Sequence, residues 1–241
     1  MSRPARTTPD RRVERTLLRT YALVGGMDEV GRGSLAGPVT IGLAIVSDDT
    51  IQTFPPGLAD SKQLTARRRE ELVAPCRTWL TDHAVAHASP REIDVLGIIG
   101  ALRLAGRRAL AQVASRGHLP GAVILDGSTD WLSCPDDGQP GFPLLTDVGG
   151  LPALDAGLVP PVRTEVRGDA RCAVVAAASV LAKVERDALM VGLPDPGYDW
   201  ASNKGYASAA HVAGLARLGA AEQHRRSWRL PGLGSTGTPS V

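Results

Sequence analysis

Long apolar runs, cysteines and aromatic residues are all scarce in this chain of 241 residues. No stretch of about 18 apolar residues occurs, so we predict no membrane association. The basic N-terminal segment lacks the apolar core of a secretory signal; we expect a flexible basic arm over 1–20, the alternative being an Arg-rich transit peptide. Cys76, Cys134 and Cys172 are widely spaced, which disfavours a disulfide framework or a zinc knuckle and favours a reducing, cytoplasmic location.

Net charge is small as well, at +2 from 27 Lys and Arg against 25 Asp and Glu. This value alone does not predict a nucleic-acid partner, because phosphates are bound by local basic surfaces. Clusters of basic residues do occur at 67–69, 107–108 and 224–226. Each is compatible with a solvated surface or with a phosphate contact.

The hydrophobic pattern predicts one main α/β domain. Short runs at 22–27, 39–46 and 83–88 predict an antiparallel meander. The apolar run 121–126 does not alternate, which is typical of a strand buried on both faces, and 161–166 adds a fifth strand. Helices are predicted to begin at Thr65, to span 89–114 with Ser89 as cap, and to span 173–190. The whole indicates a mixed five-stranded sheet with flanking helices and a C-terminal helical segment.

Composition divides the rest of the chain. We predict a domain over 21–190 that is interrupted by a Pro-, Gly- and Asp-rich loop insertion at 131–160. A helical segment over 191–231 follows, and residues 232–241 are predicted to be a disordered tail.

Four carboxylates lie where the predicted strands end. Asp28 and Glu29 close the first strand, Asp126 closes the buried strand, and Asp169 precedes the Ala-rich helix. Adjacent strand residues point to opposite faces, so Asp28 and Glu29 need a bend, which the following glycines could supply. These carboxylates also have explanations without a function. Asp28 and Glu29 could simply form a polar strand end, and Asp169 could be favoured by the helix dipole.

Together the four carboxylates favour a hard divalent cation bound through oxygen, since no histidine or cysteine ligand set accompanies them. Two such ions would balance the charge and could clamp the attacking and leaving oxygens of a phosphoryl displacement. His83 and His87 would lie about 13 Å apart along a strand, too far to share an ion.

Ordered motifs between about 22 and 229 resemble bacterial ribonuclease HII, a type 2 ribonuclease H family. They are 26–39 (GMDEVGRGSLAGPV), 60–64 (DSKQL), 89–94 (SPREID), 125–127 (LDG), 168–169 (GD), 176–187 (AAASVLAKVERD), 202–206 (SNKGY) and 224–227 (HRRS).

The resemblance implies a ribonuclease H-like fold and an endonuclease for RNA/DNA hybrids and for duplex DNA that contains ribonucleotides. Cleavage 5′ to the ribonucleotide would leave 5′-phosphate and 3′-hydroxyl ends. Asp28, Glu29, Asp126 and Asp169 would be catalytic and would bind two Mn²⁺ or Mg²⁺ ions. A monomer that removes ribonucleotides during DNA replication and repair is expected.

The resemblance also implies substrate contacts. The Gly31, Arg32 and Gly33 motif would read the 2′-hydroxyl, because glycines let the backbone approach a sugar closely. Tyr206 would pack against the sugar at the RNA–DNA junction, although a packing role at an interface is the alternative. Residues matching positions near the substrate or active site are Lys62, Lys183 and Lys204; Lys183 could instead point away on the long helix.

Departures from the family pattern are a longer segment between Asp126 and Asp169, glycines at 97 and 100, and Cys172 before the Ala-rich helix. Three other functions fit the sequence less well. A non-catalytic nucleic-acid-binding protein on the same fold would not need the carboxylates, and a small-substrate phosphotransferase would need a phosphate loop that is not seen. Type 1 ribonuclease H would need several consecutive ribonucleotides.

Overall fold

The computed structural model describes residues 8–133 and 159–233, and its elements follow the predicted order. The strands are Leu23–Val30 (β1), Val39–Ser47 (β2), Asp82–Ala88 (β3), Ala122–Asp126 (β4) and Val162–Glu165 (β5). The helices are Arg12–Leu18 (α1), Ala66–Trp79 (α2), Pro90–Ala114 (α3), Gly168–Arg171 (α4), Ala173–Gly192 (α5), Trp200–Asn203 (α6) and Ala209–Leu218 (α7), and a 3-10 turn spans Ser61–Gln63.

The strands form one mixed sheet in the order β3-β2-β1-β4-β5. The predicted meander is confirmed, since β1, β2 and β3 pair antiparallel. β4 pairs parallel with β1, with Met27 opposite Leu125, and β5 pairs parallel with β4. This register brings the next residues of the two strands, Asp28 and Asp126, to the same edge of the sheet.

Helices cover both faces of the sheet, as predicted. α5 crosses one face together with α1 and α2, and α3 packs on the other. Small residues allow α5 to lie close: a Cβ on Gly26 would lie 2.7 Å from the backbone nitrogen of Val175. A Cβ on Gly42 would collide with the carbonyl of Ala178. The sheet therefore meets the backbone of α5 almost directly.

Local signals fix where the helices begin. Thr65 Oγ1 accepts from the backbone of Arg68, and Ser89 forms a capping box with Glu92, so both predicted caps are confirmed. Gly97 has φ 67 and kinks α3 near its first turns. Among the described helices, none has both the length and the apolar character needed to cross a membrane.

The prediction of a flexible arm over 1–20 is wrong for its second half. Residues 12–18 form α1, and Arg11 and Glu14 are buried. Glu14 Oε1 accepts from the backbone N–H of Val174 at 2.9 Å, which supplies a capping contact to the first turn of α5. Arg11 donates to the carbonyl of Thr50 at 2.9 Å. Residues 1–7 of the predicted arm lie outside the described residues.

The prediction of a loop insertion over 131–160 is also wrong at its first residues. Trp131 and Leu132 are buried in the core beneath α3, where Arg103 Nε donates to the Trp131 carbonyl at 3.2 Å. The prediction missed these two core residues because the sequence that follows them is rich in Pro and Gly. Residues 134–158 of the insertion and 234–241 of the predicted tail lie outside the described residues.

Glu14 yields a prediction about pH. Burial raises the pKa of this carboxyl from 4.5 to about 7, even though the Val174 N–H favours the charged form. Because the folded-state pKa is raised, the carboxyl's contribution is fully present below pH 4.5 and is lost as pH rises through about 7. The shift corresponds to about 3 kcal/mol. Glu14→Gln, which keeps an oxygen acceptor, should therefore gain stability relative to the parent as pH rises.

Urea unfolding at several pH values checks this, with the exposed Glu70→Gln on α2 as control. A stability difference between parent and Glu14→Gln that does not change with pH would contradict a buried, titrating Glu14.

Candidate active site

Three carboxylates from separate elements meet at one edge of the sheet. Asp28 comes from β1, Asp126 from the end of β4 and Asp169 from α4, and one oxygen of each lies within 4.8 Å of the others. Within residues 8–133 and 159–233 this is the one group of three or more His, Cys, Asp or Glu residues with the spacing of a metal site. It forms because parallel β1 and β4 end side by side.

Hydrogen bonds fix the orientation of these carboxylates. Asp126 Oδ1 accepts from the backbone N–H of Gly168 at 2.6 Å, which ties β4 to α4. Asp28 Oδ1 accepts from the backbone N–H of Glu29 at 2.8 Å. Ser179 on α5 lies beside Asp28, and its hydroxyl donates to Ser61 Oγ at 2.8 Å. Both serine hydroxyls are buried. The carboxylates are therefore held in place by the protein itself.

Like charges dominate the electrostatics of the cluster. Burial and the nearby Asp126 raise the pKa of Asp28 well above its usual range, and the same two causes raise that of Asp169 to about 6. Lys62 Nζ lies 3.5 Å from Asp169 Oδ2. Burial lowers the pKa of this ammonium, but the attraction of Asp28, Asp169 and other carboxylates outweighs it and raises the pKa overall. The cluster thus favours added positive charge, and oxygen donors at this spacing suit divalent cations.

Glu29 is not among the three clustered carboxylates. The bend expected between Asp28 and Glu29 is absent, because β1 continues to Val30 in register with β2. Alternation along the strand therefore turns Glu29 away from Asp28. Its carboxylate is half-buried at the rim, and its Oε1 accepts from Arg32 at 3.4 Å.

Two buried arginines support the turn from Gly31 to Pro38. Arg225 donates to the carbonyls of Gly31 at 2.6 Å and Arg32 at 2.8 Å. Arg186 donates to the carbonyl of Pro38 at 2.9 Å, and both guanidinium groups bond Ser34 Oγ. Each arginine is fully buried. Carbonyl dipoles and a hydroxyl thus fix the backbone of the turn from beneath.

The two glycines of the motif differ in their surroundings. Gly31 has φ 81, and a Cβ there would collide with the guanidinium of Arg186. Gly33 is exposed, its φ is not positive, and a Cβ there would meet no atom within 4 Å. The fold therefore requires glycine at 31, whereas at 33 it leaves open space above the turn.

Tyr206 lies beside this turn, and the residue is 37% exposed. Arg186 and Lys183 approach the ring, with their charged ends 5.6 Å and 5.9 Å from its centroid. Lys183 therefore faces Tyr206, and its Nζ also contacts Asp187 at 2.7 Å. Lys204 has φ 54, and its Nζ donates to the carbonyl of Ala201.

Residues 25–230 match the family model described as Ribonuclease HII. The chain belongs to the ribonuclease HII family. A ribonuclease HII from Streptomyces coelicolor is 43% identical over 224 residues, which cover 91% of this chain and 83% of that protein. A ribonuclease HII from Paracoccus denitrificans is 42% identical over 227 residues and 91% of each chain. The family consists of type 2 ribonucleases H, metal-dependent hydrolases that act on RNA/DNA hybrids.

Solved structures share the fold. Ribonuclease H2 from Pyrococcus horikoshii matches with TM-score 0.57 and 24% identity over 86% of this chain and 94% of that one. The ribonuclease HII in a PCNA complex from Archaeoglobus fulgidus matches with TM-score 0.61 and 24% identity, covering 85% and 93%. The predicted ribonuclease H-like fold is thereby confirmed.

Within this chain the structure brings Asp28, Asp126, Asp169 and Lys62 together. The motif 31–33, Lys183 and Tyr206 are linked through Arg186 on a neighbouring surface. Sequence reasoning missed the supporting roles of Ser179, Arg186 and Arg225, which it placed only within family motifs or a basic cluster. A serine or arginine within an otherwise apolar, buried helix face was the available signal for Ser179 and Arg186.

The two glycines give a matched pair of variants. Gly31→Ala should lower the free energy of unfolding by more than about 1 kcal/mol, because it places a side chain at positive φ and against Arg186. Gly33→Ala should change it by less than about 0.5 kcal/mol. Denaturant unfolding of the two variants and the parent measures both values. Equal losses would mean that the turn is not held as described.

Proposed function

We propose that this member of the ribonuclease HII family cleaves the RNA strand of RNA/DNA hybrids and also cuts 5′ to ribonucleotides embedded in duplex DNA, leaving 5′-phosphate and 3′-hydroxyl ends. The convergence of Asp28, Asp126 and Asp169 carries the proposal. Removal of ribonucleotides during DNA replication and repair would be its role. The monomeric state and the cytoplasmic location stay predictions, and Cys76 and Cys172 are free thiols, which suits the latter.

The carboxylates fit two divalent cations, Mg²⁺ or Mn²⁺. Asp28, Asp126 and Asp169 would hold them, with Glu29 joining from the rim. Oxygen donors alone, high local negative charge and raised carboxyl pKa values all match hard cations. When bound, two such ions stabilise the attacking and leaving oxygens of a phosphoryl displacement.

The chain's own residues would supply preorganisation. The backbone N–H groups of Glu29 and Gly168 hold Asp28 and Asp126 so that their oxygens need little rearrangement. Lys62 places one positive charge beside Asp169, where it offsets part of the carboxylate repulsion that would otherwise oppose a phosphate.

The turn and Tyr206 would recognise the ribonucleotide. Open space above Gly33 lets a sugar reach the backbone, and neither packing nor φ gives the protein a reason for glycine there. A 2′-hydroxyl both donates and accepts, so backbone groups can read it. The half-exposed Tyr206 ring would pack on the sugar at the junction. Arg32, Lys183 and Lys204 would contact phosphates, which position the duplex without reading sequence.

Asp126→Asn tests the metal site. Cleavage of both substrates should fall below about a tenth of the parent rate, since an amide is a weaker ligand for a hard cation. The Gly168 contact survives, because Asn keeps Oδ1. The parent's melting temperature should rise on adding Mg²⁺ or Mn²⁺ over chelator, and the variant's should rise much less.

The exposed Asp49→Asn serves as control and should behave like the parent. If Asp126→Asn cleaves at near the parent rate, Asp126 is not an essential ligand and the proposal loses its main support.

Tyr206 tests junction recognition. Tyr206→Ala should slow cleavage at a single embedded ribonucleotide much more than cleavage of a continuous hybrid, because sugar packing matters most where one ribose is present. Tyr206→Phe keeps the ring and should fall between parent and Ala. Initial rates on the two substrates at one salt concentration give the ratio. Equal slowing on both would reduce Tyr206 to a packing residue.

A further inference from the structure

Behind Tyr206, two buried histidines form a continuous hydrogen-bonded chain. His211 Nδ1 lies 2.9 Å from the carbonyl oxygen of Tyr206, and His211 Nε2 lies 3.0 Å from His224 Nε2. The backbone N–H of Ala221 donates to His224 Nδ1 at 2.9 Å. His211 is 0% and His224 1% exposed, so no solvent competes for these contacts.

The ends of this chain dictate where its protons are. A backbone N–H only donates, so His224 Nδ1 is the acceptor and its Nε2 carries the hydrogen. His224 Nε2–H then donates to His211 Nε2, and His211 Nδ1–H donates to Tyr206. A carbonyl only accepts, so the Tyr206 end independently requires the same assignment. Both rings are therefore neutral, each in one fixed tautomer.

Packing holds the pair in this state. Tyr198 contacts both rings edge-on, with centroids 5.9 Å from His211 and 4.7 Å from His224, and Trp200 lies 5.8 Å from His224. Burial, together with His211, lowers the pKa of His224 to about 4. A proton added to His211 Nε2 would face the His224 N–H across the 3.0 Å contact, and one added to His224 Nδ1 would face the Ala221 N–H across 2.9 Å.

The pair also connects Tyr206 to the glycine turn. The backbone of His224 bridges to Ala36, and the next residue, Arg225, donates its N–H to the Leu35 carbonyl at 3.0 Å. Leu35 in turn donates to the carbonyl of Gly205 at 2.8 Å. Two connections thus join the segments 31–38 and 205–206. One runs through the side chains of His211 and His224, and the other consists of backbone hydrogen bonds.

We propose that His211 and His224 are positioning residues, which set the place of Tyr206 relative to the Gly31–Gly33 turn through a relay of fixed tautomers. The proposal rests on the function proposed above for Tyr206 and the turn. Neither histidine touches substrate. A merely space-filling pair would need no polar contact to the Tyr206 carbonyl, and buried apolar rings would serve equally.

The unmodified protein gives the first test. Nitrogen-15 NMR of histidine side chains at pH 7 should show His211 as the Nδ1–H tautomer and His224 as the Nε2–H tautomer, assigned with His211→Asn and His224→Gln. The more accessible His118 serves as the reference ring. An imidazolium, or the opposite tautomer on either ring, would overturn the relay without any assay of activity.

Two variants of one residue separate positioning from packing. His211→Asn places an amide donor near the Nδ1 position and keeps the bond to Tyr206. His211→Gln reaches toward His224 and leaves the Tyr206 carbonyl unpaired. With fluorotyrosine labelling, the Tyr206 fluorine resonance should shift in His211→Gln and stay near its parent position in His211→Asn. The same displacement in both variants would mean that the ring only fills space.

Cleavage links the relay to selectivity. His211→Gln should lower the rate on a single embedded ribonucleotide several-fold relative to the hybrid, and should change that ratio no further in a Tyr206→Ala background. Additive effects would overturn the proposal. If Tyr206→Ala itself leaves the ratio unchanged, junction recognition by Tyr206 fails, while the NMR measurements still decide whether the histidines position it.

Discussion

The close packing of α5 on β1 and β2 is the constraint on which the site depends. Gly26 and Gly42 bring the sheet against the backbone of α5, which only a helix face of alanines and other small residues tolerates. Glycine costs strand stability, so this contact is retained for geometry. Ser179, Lys183 and Arg186 follow at i, i+4 and i+7 on that helix, hence on one face. One rigid helix thereby reaches Asp28, Tyr206 and the glycine turn together.

Negative carboxylates lie near Ser179 at one end of this face of α5, and two buried arginines lie at the other end. Asp28 and Asp169 are ionised only against burial and repulsion, and burial together with Arg186 lowers the pKa of Arg225 to about 9. Neither arrangement favours the fold by itself, since buried like charges are costly. The large apolar clusters on both faces of the sheet supply the stability that holds them. Divalent cations bound between the carboxylates would relieve the repulsion that the fold maintains there.

Local patterns made much of this molecule predictable. Strand ends located Asp28 and Asp126, and short-range caps located the starts of α2 and α3. What escaped prediction depends on contacts between distant parts of the chain: Glu14 with α5, Trp131 with the core, and Arg225 with a turn 194 residues earlier. No periodicity encodes such pairs. Glu29 lies outside the three clustered carboxylates because β1 runs straight to Val30, and its role as a metal ligand stays a prediction.

Selective reading of one hydroxyl group needs a rigid site, and loops are ordinarily the mobile part of a protein. Here the turn after β1 is immobilised from beneath by Arg186 and Arg225, while the C-terminal segment hydrogen-bonds to its backbone. The carboxylates, in contrast, are positioned by the sheet and by α4 and α5. The carboxylates proposed for catalysis and the turn proposed for recognition are thus held by different elements, and α5 contributes to both. If the proposed function holds, changes in the C-terminal segment would therefore alter which substrate is cleaved and leave the carboxylate geometry intact.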